Sequence, residues 1–308
     1  MKNVHIGFYG AVMGLAGLGL TGRAAAPLFP GVFRAPAYFT ELWVLLGLVG
    51  LLVLLALYAL KISSGNARED FTNPALLGFC GAFPVGLTLV AGGLGPYLPA
   101  LASTLWWIGC GLLVALQCWA IARWLAGQVE LAKLNAGWLI VMVGGIVVPG
   151  PGIGLGHAEA SRVLFGFSAC AATVIVPMLF ARAALAAPLP EPLRPTWFIL
   201  LVPPSLIYAN GGALFGDEFL DVLYFAAVVL LGALAFYGRG FWRWPFGPAW
   251  WAFTFPLDAF AYAAARYAQL HPSEPLWRWV AGLALALATL VVAGVLVRTL
   301  IAVLRRSP

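Results

Sequence analysis

The sequence predicts an all-α integral membrane protein. Hydrophobic residues make up 63% of the 308 residues and charged residues only 9%, which leaves too little polar surface to cover a water-soluble protein. Continuous apolar stretches of about 20 residues, the length that crosses a hydrocarbon core of roughly 30 Å, follow one another along the chain. Strands of a membrane barrel would alternate apolar and polar residues, and these stretches do not. The spanning elements are therefore helices.

Charged residues, prolines and glycines divide the chain into ten predicted spans. In chain order, these spans cover residues 5–22, 40–61, 75–94, 99–123, 135–155, 161–183, 196–214, 219–238, 249–269 and 279–303. No segment is left for a soluble domain. We therefore expect one transmembrane domain over residues 1–308.

The distribution of Lys and Arg predicts the orientation of these spans. Twelve basic residues fall on one side of the membrane: Lys2, Lys61, Arg68, Arg123, Lys133, Arg182, Arg194, Arg239, Arg243, Arg298, Arg305 and Arg306. Four fall on the other side: Arg23, Arg34, Arg162 and Arg278. The positive-inside rule then places both termini in the cytoplasm. An alternative for the first span is a signal peptide, because an apolar run follows Lys2 and ends in the small residues at 24–26.

The odd-numbered spans carry residues that interrupt helices. The candidates for pore-lining or kink positions are Gly10, Gly14, Pro84, Gly145, Pro149, Pro203 and Pro256. A proline within a helix removes a backbone hydrogen bond, and lipid cannot satisfy the freed carbonyl. We therefore expect five kinked inner helices around a central pore and five outer helices, arranged as five helical hairpins. The alternative is that these glycines and prolines mark tight helix packing.

Several motifs resemble one family of membrane proteins. Residues 248–257 read Pro-Ala-Trp-Trp-Ala-Phe-Thr-Phe-Pro-Leu, and residues 7–16 read Gly-Phe-Tyr-Gly-Ala-Val-Met-Gly-Leu-Ala. With the Asn-Pro pair at 73–74 and the region of Pro203, these stretches resemble the tellurite-resistance/dicarboxylate transporter family. That family includes TehA-like bacterial proteins, yeast malate and sulfite transporters and the slow anion channel of plant guard cells. The resemblance extends over nearly the whole chain.

The resemblance implies a ten-helix fold that assembles as a homotrimer, with one pore in each subunit. It implies transport of small inorganic or dicarboxylate anions across a plasma membrane, here the inner membrane of a bacterium. A phenylalanine on the ninth helix plugs the pore in this family. The motif places it at Phe255, or at Phe253 if the register differs. Aromatic packing against Trp250 and Trp251 is the alternative role for Phe255.

Two charged residues lie in the ninth span, and ionisable residues within a span are functional candidates. Asp258 lies three residues beyond Phe255, on nearly the same helical face. An ionised carboxylate beside an anion path would repel the anion, so Asp258 is a candidate for proton coupling or selectivity. Arg266 is a candidate for drawing anions into the pore, and the alternative is that its side chain extends to the interface.

Other function classes lack the residues they need. The three histidines, His5, His157 and His271, are far apart in sequence, so we expect neither a metal site nor an enzyme. We expect no cofactor. The basic residues form no continuous stripe, so we expect no nucleic-acid partner. The alternative to a channel is a proton-coupled carrier for C4-dicarboxylates or sulfite, which would show saturable, pH-driven uptake.

Overall fold

The structure is a computed structural model that describes residues 4–31, 38–127, 133–216 and 220–305. Within these ranges all regular secondary structure is helical, which confirms the prediction of an all-α protein. Three residues used in the charge comparison, Lys2, Arg34 and Arg306, lie outside the described residues. We number each helical segment, 1 to 10, after the predicted span that it covers.

Seven segments are long and apolar enough to cross a membrane. They are segments 1, 2, 3, 4, 6, 7 and 10, with bounds Ile6–Leu28, Tyr38–Ser63, Ala75–Leu94, Pro99–Leu125, Ala158–Leu185, Glu191–Phe215 and Pro275–Leu304. Their length and composition are those of membrane-spanning helices. The chain is therefore a multi-pass membrane protein.

The other three segments are shorter or interrupted. Segment 5 consists of the short α-helices Trp138–Met142 and Pro149–Gly154 with a 3₁₀ turn between them, because glycine and proline disfavour a continuous α-helix there. Segment 8 is the 17-residue helix Asp221–Tyr237. Segment 9 begins as the 3₁₀ helix Pro248–Phe253 and continues as the α-helix Thr254–Leu270.

Every odd segment changes from 3₁₀ to α geometry along its length. The 3₁₀ stretches are Ile6–Phe8, Gly78–Gly81, Gly144–Ile146, Glu191–Leu201 and Pro248–Phe253. Pro84, Pro149, Pro203 and Pro256 all lie within the first three residues of the α-helix that follows. In the first helical turn a missing N–H removes little hydrogen bonding. Segments 3, 5, 7 and 9 are thus interrupted by a change of helix type close to these prolines instead of by a kink in the middle of an α-helix.

Burial separates the segments into two groups. In segments 1, 3 and 7, between 61% and 78% of the most apolar window is buried, compared with 28% to 33% in segments 2, 4, 6 and 10. The exposed residues of the second group include large apolar side chains such as Leu52, Val174 and Leu290. Lipid is a suitable environment for such surfaces. Most residues of segments 5 and 9 are buried as well. The odd segments therefore form the interior, and the long even segments expose apolar surface of the kind that lipid covers.

Basic side chains connect loops at each end of the bundle. Lys61 Nζ donates to the carbonyl of Val4 at 2.9 Å, and Arg182 Nε donates to the carbonyl of Leu134 at 3.1 Å. These contacts join the ends of segments 2 and 6 to neighbouring loops. They lie at the end of the bundle where the Lys and Arg distribution predicts the larger set of basic residues.

At the opposite end, Arg23 pairs with Glu41 at 2.6 Å and donates to the carbonyl of Gly93 at 2.9 Å. Arg162 donates to the carbonyl of Leu214 at the same end. The contacts of these arginines join loops on the less basic side, so the two sets of basic residues lie at different ends of the bundle.

A buried ion pair fixes the loop after segment 2. Lys61 Nζ lies 2.6 Å from Asp70 Oδ2, and both side chains are less than 10% exposed. The same oxygen accepts a hydrogen bond from the Tyr58 hydroxyl at 2.8 Å. Removal of either charge would leave the other buried without its counter-ion.

Replacing Lys61 by Met should therefore destabilise the protein by about 3–5 kcal/mol, because Asp70 keeps a buried charge without compensation. Thermal unfolding in detergent measures the change. Arg194→Gln serves as the control, since its pair with Glu191 is largely exposed and should contribute less than about 1 kcal/mol. Equal loss of stability in the two variants would contradict this account of the Lys61–Asp70 pair.

Candidate functional site

The odd segments enclose an apolar cavity of about 40 Å³. Each of the five contributes to its wall, for example through Gly7, Val85, Val143, Val202 and Trp251. The described side chains that line it are apolar apart from the indole N–H of Trp251, which has no hydrogen-bond partner among the described residues. A space of this volume holds about one water molecule, and so apolar a wall gives that water few hydrogen-bond partners. We call it the first cavity.

A second cavity, of about 190 Å³, lies further along the same five segments. Its wall includes Leu89 of segment 3 and Gly150 of segment 5, but it differs from the first cavity in carrying polar side chains. These side chains are Thr21, Asn210, Asp258 and Tyr262. Among the described residues that line the two cavities, Asp258 is the one acidic residue, and none is Lys or Arg.

Phe255 lies between the two cavities. Its side chain lines both, as does that of Val147, and it is only 7% exposed. A bulky ring at an apolar constriction blocks passage and excludes water. The structure thus brings the residue that the motif identified to the boundary between two spaces enclosed by all five odd segments.

Phe253 lies in a different environment. Its ring packs in an aromatic cluster with Phe198, Phe241, Trp244 and Trp250, at centroid distances of 4.6 to 6.1 Å. It lines neither cavity. This position, two residues before Phe255, therefore serves packing at the start of segment 9.

Glycines of segment 1 allow segment 9 to approach closely. A Cβ atom built on Gly14 would lie 2.1 Å from Thr254 Oγ1, and one built on Gly17 would lie 2.9 Å from Phe255 Cδ2. The regular glycine spacing of segment 1 produces this smooth face. Gly17 continues the spacing of Gly10 and Gly14 and lies directly against Phe255. It was not among the predicted site residues.

The other predicted pore or kink residues divide into two groups. Three line the first cavity: Gly10, Pro203 and Pro256. Gly14 packs against Thr254, and Gly145 packs against Ser168, whose Oγ accepts a hydrogen bond from the Gly145 N–H at 3.1 Å. Pro84 and Pro149 are buried and line neither cavity. This second group supports the alternative that some helix breakers mark packing.

Asp258 faces the second cavity from segment 9 and is 1% exposed. Within the described part of the chain neither carboxyl oxygen has a hydrogen-bond partner. The Thr21 hydroxyl instead donates to the backbone carbonyl of Asp258 at 3.2 Å. The carboxyl group is therefore held in the cavity wall with both oxygens available to a ligand, a water molecule or a proton.

Asn210 is a residue of the site that the sequence analysis did not identify. Its Nδ2 donates to the carbonyl of Ile146 at 2.7 Å, whereas its Oδ1 is buried and has no partner among the described residues. The amide thus satisfies a carbonyl in the 3₁₀ turn of segment 5 and presents an acceptor near the second cavity. An isolated amide in an otherwise apolar span was the signal available in the sequence.

Comparison with known proteins identifies the family. A family model described as "SLAC1: Voltage-dependent anion channel" matches residues 3–300. The chain belongs to the SLAC1 family. This match confirms the resemblance to slow anion channels inferred from the motifs, and it places the two cavities and Phe255 within a family of anion channels and transporters.

Several known proteins are similar to this chain. The S-type anion channel SLAH3 of Arabidopsis thaliana is 26% identical over 305 residues, covering 96% of this chain and 48% of the relative. The guard cell S-type anion channel SLAC1 of the same plant is 25% identical over 179 residues, or 57% of this chain and 32% of the relative. The sulfite efflux pump SSU1 of Arthroderma benhamiae is 25% identical, covering 86% and 82% of the two chains. The chain thus spans less than half the length of these two plant channels.

Arg266 lies apart from the two central cavities of this SLAC1-family chain. It lines a third cavity of about 280 Å³ together with Tyr208, Asp221 and His271. His271 Nε2 is 3.7 Å from Asp221 Oδ2. The third cavity therefore contains both acidic and basic side chains. The described residues contain no group of three or more His, Cys, Asp and Glu positioned to hold a metal ion.

The contact between Gly14 and Thr254 gives a test of how segments 1 and 9 pack in this SLAC1-family fold. Gly14→Ala should destabilise the protein by about 1–3 kcal/mol, because the new methyl group overlaps Thr254 Oγ1 and Cβ and the helices must separate. Thermal unfolding in detergent measures the loss. Gly294→Ala is the matched control, since a Cβ there meets no atom within 4 Å. A Gly14→Ala variant as stable as the control would contradict the close packing.

Proposed function

We propose that this chain is an anion channel or transporter of the slow-anion-channel type, which passes small anions along the odd segments and is closed by Phe255. The observation that carries the proposal is that one buried aromatic ring separates two cavities, each walled by all five odd segments. Family membership supports the anion as the transported species. Small inorganic anions and dicarboxylates are the proposed ligands.

The proposed architecture has ten membrane segments arranged as five hairpins, with the odd segment of each pair inside. The repeated change from 3₁₀ to α helix in the odd segments and the high lipid exposure of the long even segments support it. Irregular backbone at membrane depth is tolerated where protein covers it or where it lines a cavity. Residues 1–308 would then form one transmembrane domain around one path.

We propose further that both termini face the cytoplasm and that the protein resides in the plasma membrane, the inner membrane in a bacterium. The separation of the two sets of basic residues at opposite ends of the bundle supports this orientation. The second cavity would then lie on the side of Phe255 that faces away from the cytoplasm. The family resemblance supports a homotrimer in which each subunit has its own path.

A proton-coupled carrier for C4-dicarboxylates or sulfite is the second candidate. Two observations favour it: the similarity to proteins named sulfite efflux pumps and the buried carboxyl group of Asp258 in the wall of the second cavity. Electrical recording separates the two functions, because a channel gives ohmic current and a carrier gives saturable, coupled flux.

Replacing Phe255 by Ala should increase chloride current in reconstituted bilayers by about tenfold or more, since removing the ring opens and hydrates the constriction. A tenfold rise corresponds to about 1.4 kcal/mol removed from the barrier. Phe255→Leu should give a smaller increase because it retains part of the apolar obstruction.

The control is Phe253→Leu, which alters the neighbouring aromatic cluster and leaves both cavities unchanged. It should conduct as the wild type does. Elution as a single species in size-exclusion chromatography checks that each variant is folded. A folded Phe255→Ala protein with wild-type conductance would show that the ring does not close the path.

A further inference from the structure

The carboxyl group of Asp258 lacks the neighbours that usually stabilise a buried charge. Segments 1 and 7 bring Thr21 and Asn210 to the same cavity, and segment 9 adds Tyr262. Of these side chains only Tyr262 can titrate, and none carries a positive charge. A buried ionised carboxylate without a counter-ion or hydrogen-bond donor is costly. The electrostatic potential in the second cavity therefore depends on whether the Asp258 carboxyl group carries a proton.

The basic side chains of segments 1 and 9 do not line this cavity. Arg23 forms two hydrogen bonds with Glu41, at 2.9 and 2.6 Å, and donates to the carbonyl of Gly93 at 2.9 Å. Arg266 lines the third cavity and is absent from the wall of the second. Segment 3 contributes Leu89, and segment 5 contributes Val147, Gly150 and Pro151. None of these residues carries a charge. The state of Asp258 thus sets the charge of the second cavity.

The carboxyl group also lies beside the ring that separates the cavities. A Cβ atom built on Gly17 would lie 3.1 Å from Asp258 Oδ2 and 2.9 Å from Phe255 Cδ2. Gly17 of segment 1 therefore lies close to both the Asp258 carboxyl group and the Phe255 ring. An anion that passes Phe255 must come close to Asp258, where a negative charge in a low-dielectric wall repels it strongly.

We propose that protonation of the Asp258 carboxylate converts the second cavity from an anion-repelling to an anion-accepting space, so that anion flux rises when the solution on that side becomes acidic. This inference rests on the proposed function. The carboxylate takes one proton from the solution that enters the second cavity and becomes a neutral acid. Its O–H can then donate to a permeating anion, or to Asn210 Oδ1, which lacks a donor among the described residues.

The experiment compares Phe255→Ala with Phe255→Ala/Asp258→Asn in reconstituted bilayers, with chloride as the test anion. In this background the ring no longer limits the current. The pH is lowered from about 8 to about 5 on one side at a time, a range in which a single carboxyl group can change its protonated fraction by up to about tenfold per pH unit. Phe255→Ala/Glu159→Gln is the control, because Glu159 is an exposed carboxylate near the same end.

In the Phe255→Ala protein, acidification on the side of the second cavity should increase the current by up to about tenfold per pH unit. Acidification of the opposite side should increase the current no more than this, because protons from that side reach Asp258 only through the opened constriction. The Asp258→Asn protein should conduct at every pH at the level that Phe255→Ala reaches in acid, because the amide is uncharged and can donate a hydrogen bond. The Glu159→Gln control should keep the pH response.

A pH response that survives Asp258→Asn would overturn the role of Asp258 while leaving the proposed anion path intact. Absence of current from a folded Phe255→Ala protein in all conditions would instead overturn the proposed function, and the role of Asp258 with it. If the Asn variant does not elute as a folded species, Asp258→Ala in the same background replaces it. That variant should likewise lose the pH response.

Discussion

The close approach of segments 1 and 9 is the contact on which the rest of the interior depends. Gly10, Gly14 and Gly17 present a face without side chains, and segment 9 lies against it from Trp251 to Phe255. In a membrane, helices associate through packing and hydrogen bonds instead of a hydrophobic driving force, so small residues at an interface have a large effect. This contact places Phe255 at the boundary of the two cavities and Asp258 in the wall of the second, and it fixes the backbone that carries both residues.

The 3₁₀ stretches of the odd segments have a related consequence. Their irregular backbone would be costly in contact with lipid, because unsatisfied amide groups have no water to bind there. The long even segments cover them, and side chains such as Asn210 satisfy individual carbonyls within the interior. Two features therefore require the odd segments to lie inside and the long even segments outside. One is the irregular backbone of the odd segments, and the other is the apolar composition of the even segments.

The sequence predicted the helical membrane fold and the family, because long apolar stretches and a specific motif are local signals, whereas the gating role of Phe255 stays a prediction. It did not predict that Gly14 packs against Thr254 or that Phe253 joins an aromatic cluster. Both depend on the rotation of segments 1 and 9 about their axes, which hydropathy alone determines poorly in segments that are mostly apolar. Asn210 was overlooked because its partner, the Ile146 carbonyl, comes from a distant turn.

Under the proposed function, a path closed by one aromatic ring on a fixed backbone would link the resting leak of the protein to the rotamer population of Phe255. The first cavity is small and its wall is largely apolar, so the ring is held from that side mainly by van der Waals packing. Each free-energy difference of about 1.4 kcal/mol between the blocking and non-blocking rotamers changes the open fraction tenfold. Small changes in the packing of residues that never touch an anion, such as Gly17, would therefore be amplified into large changes in basal permeability.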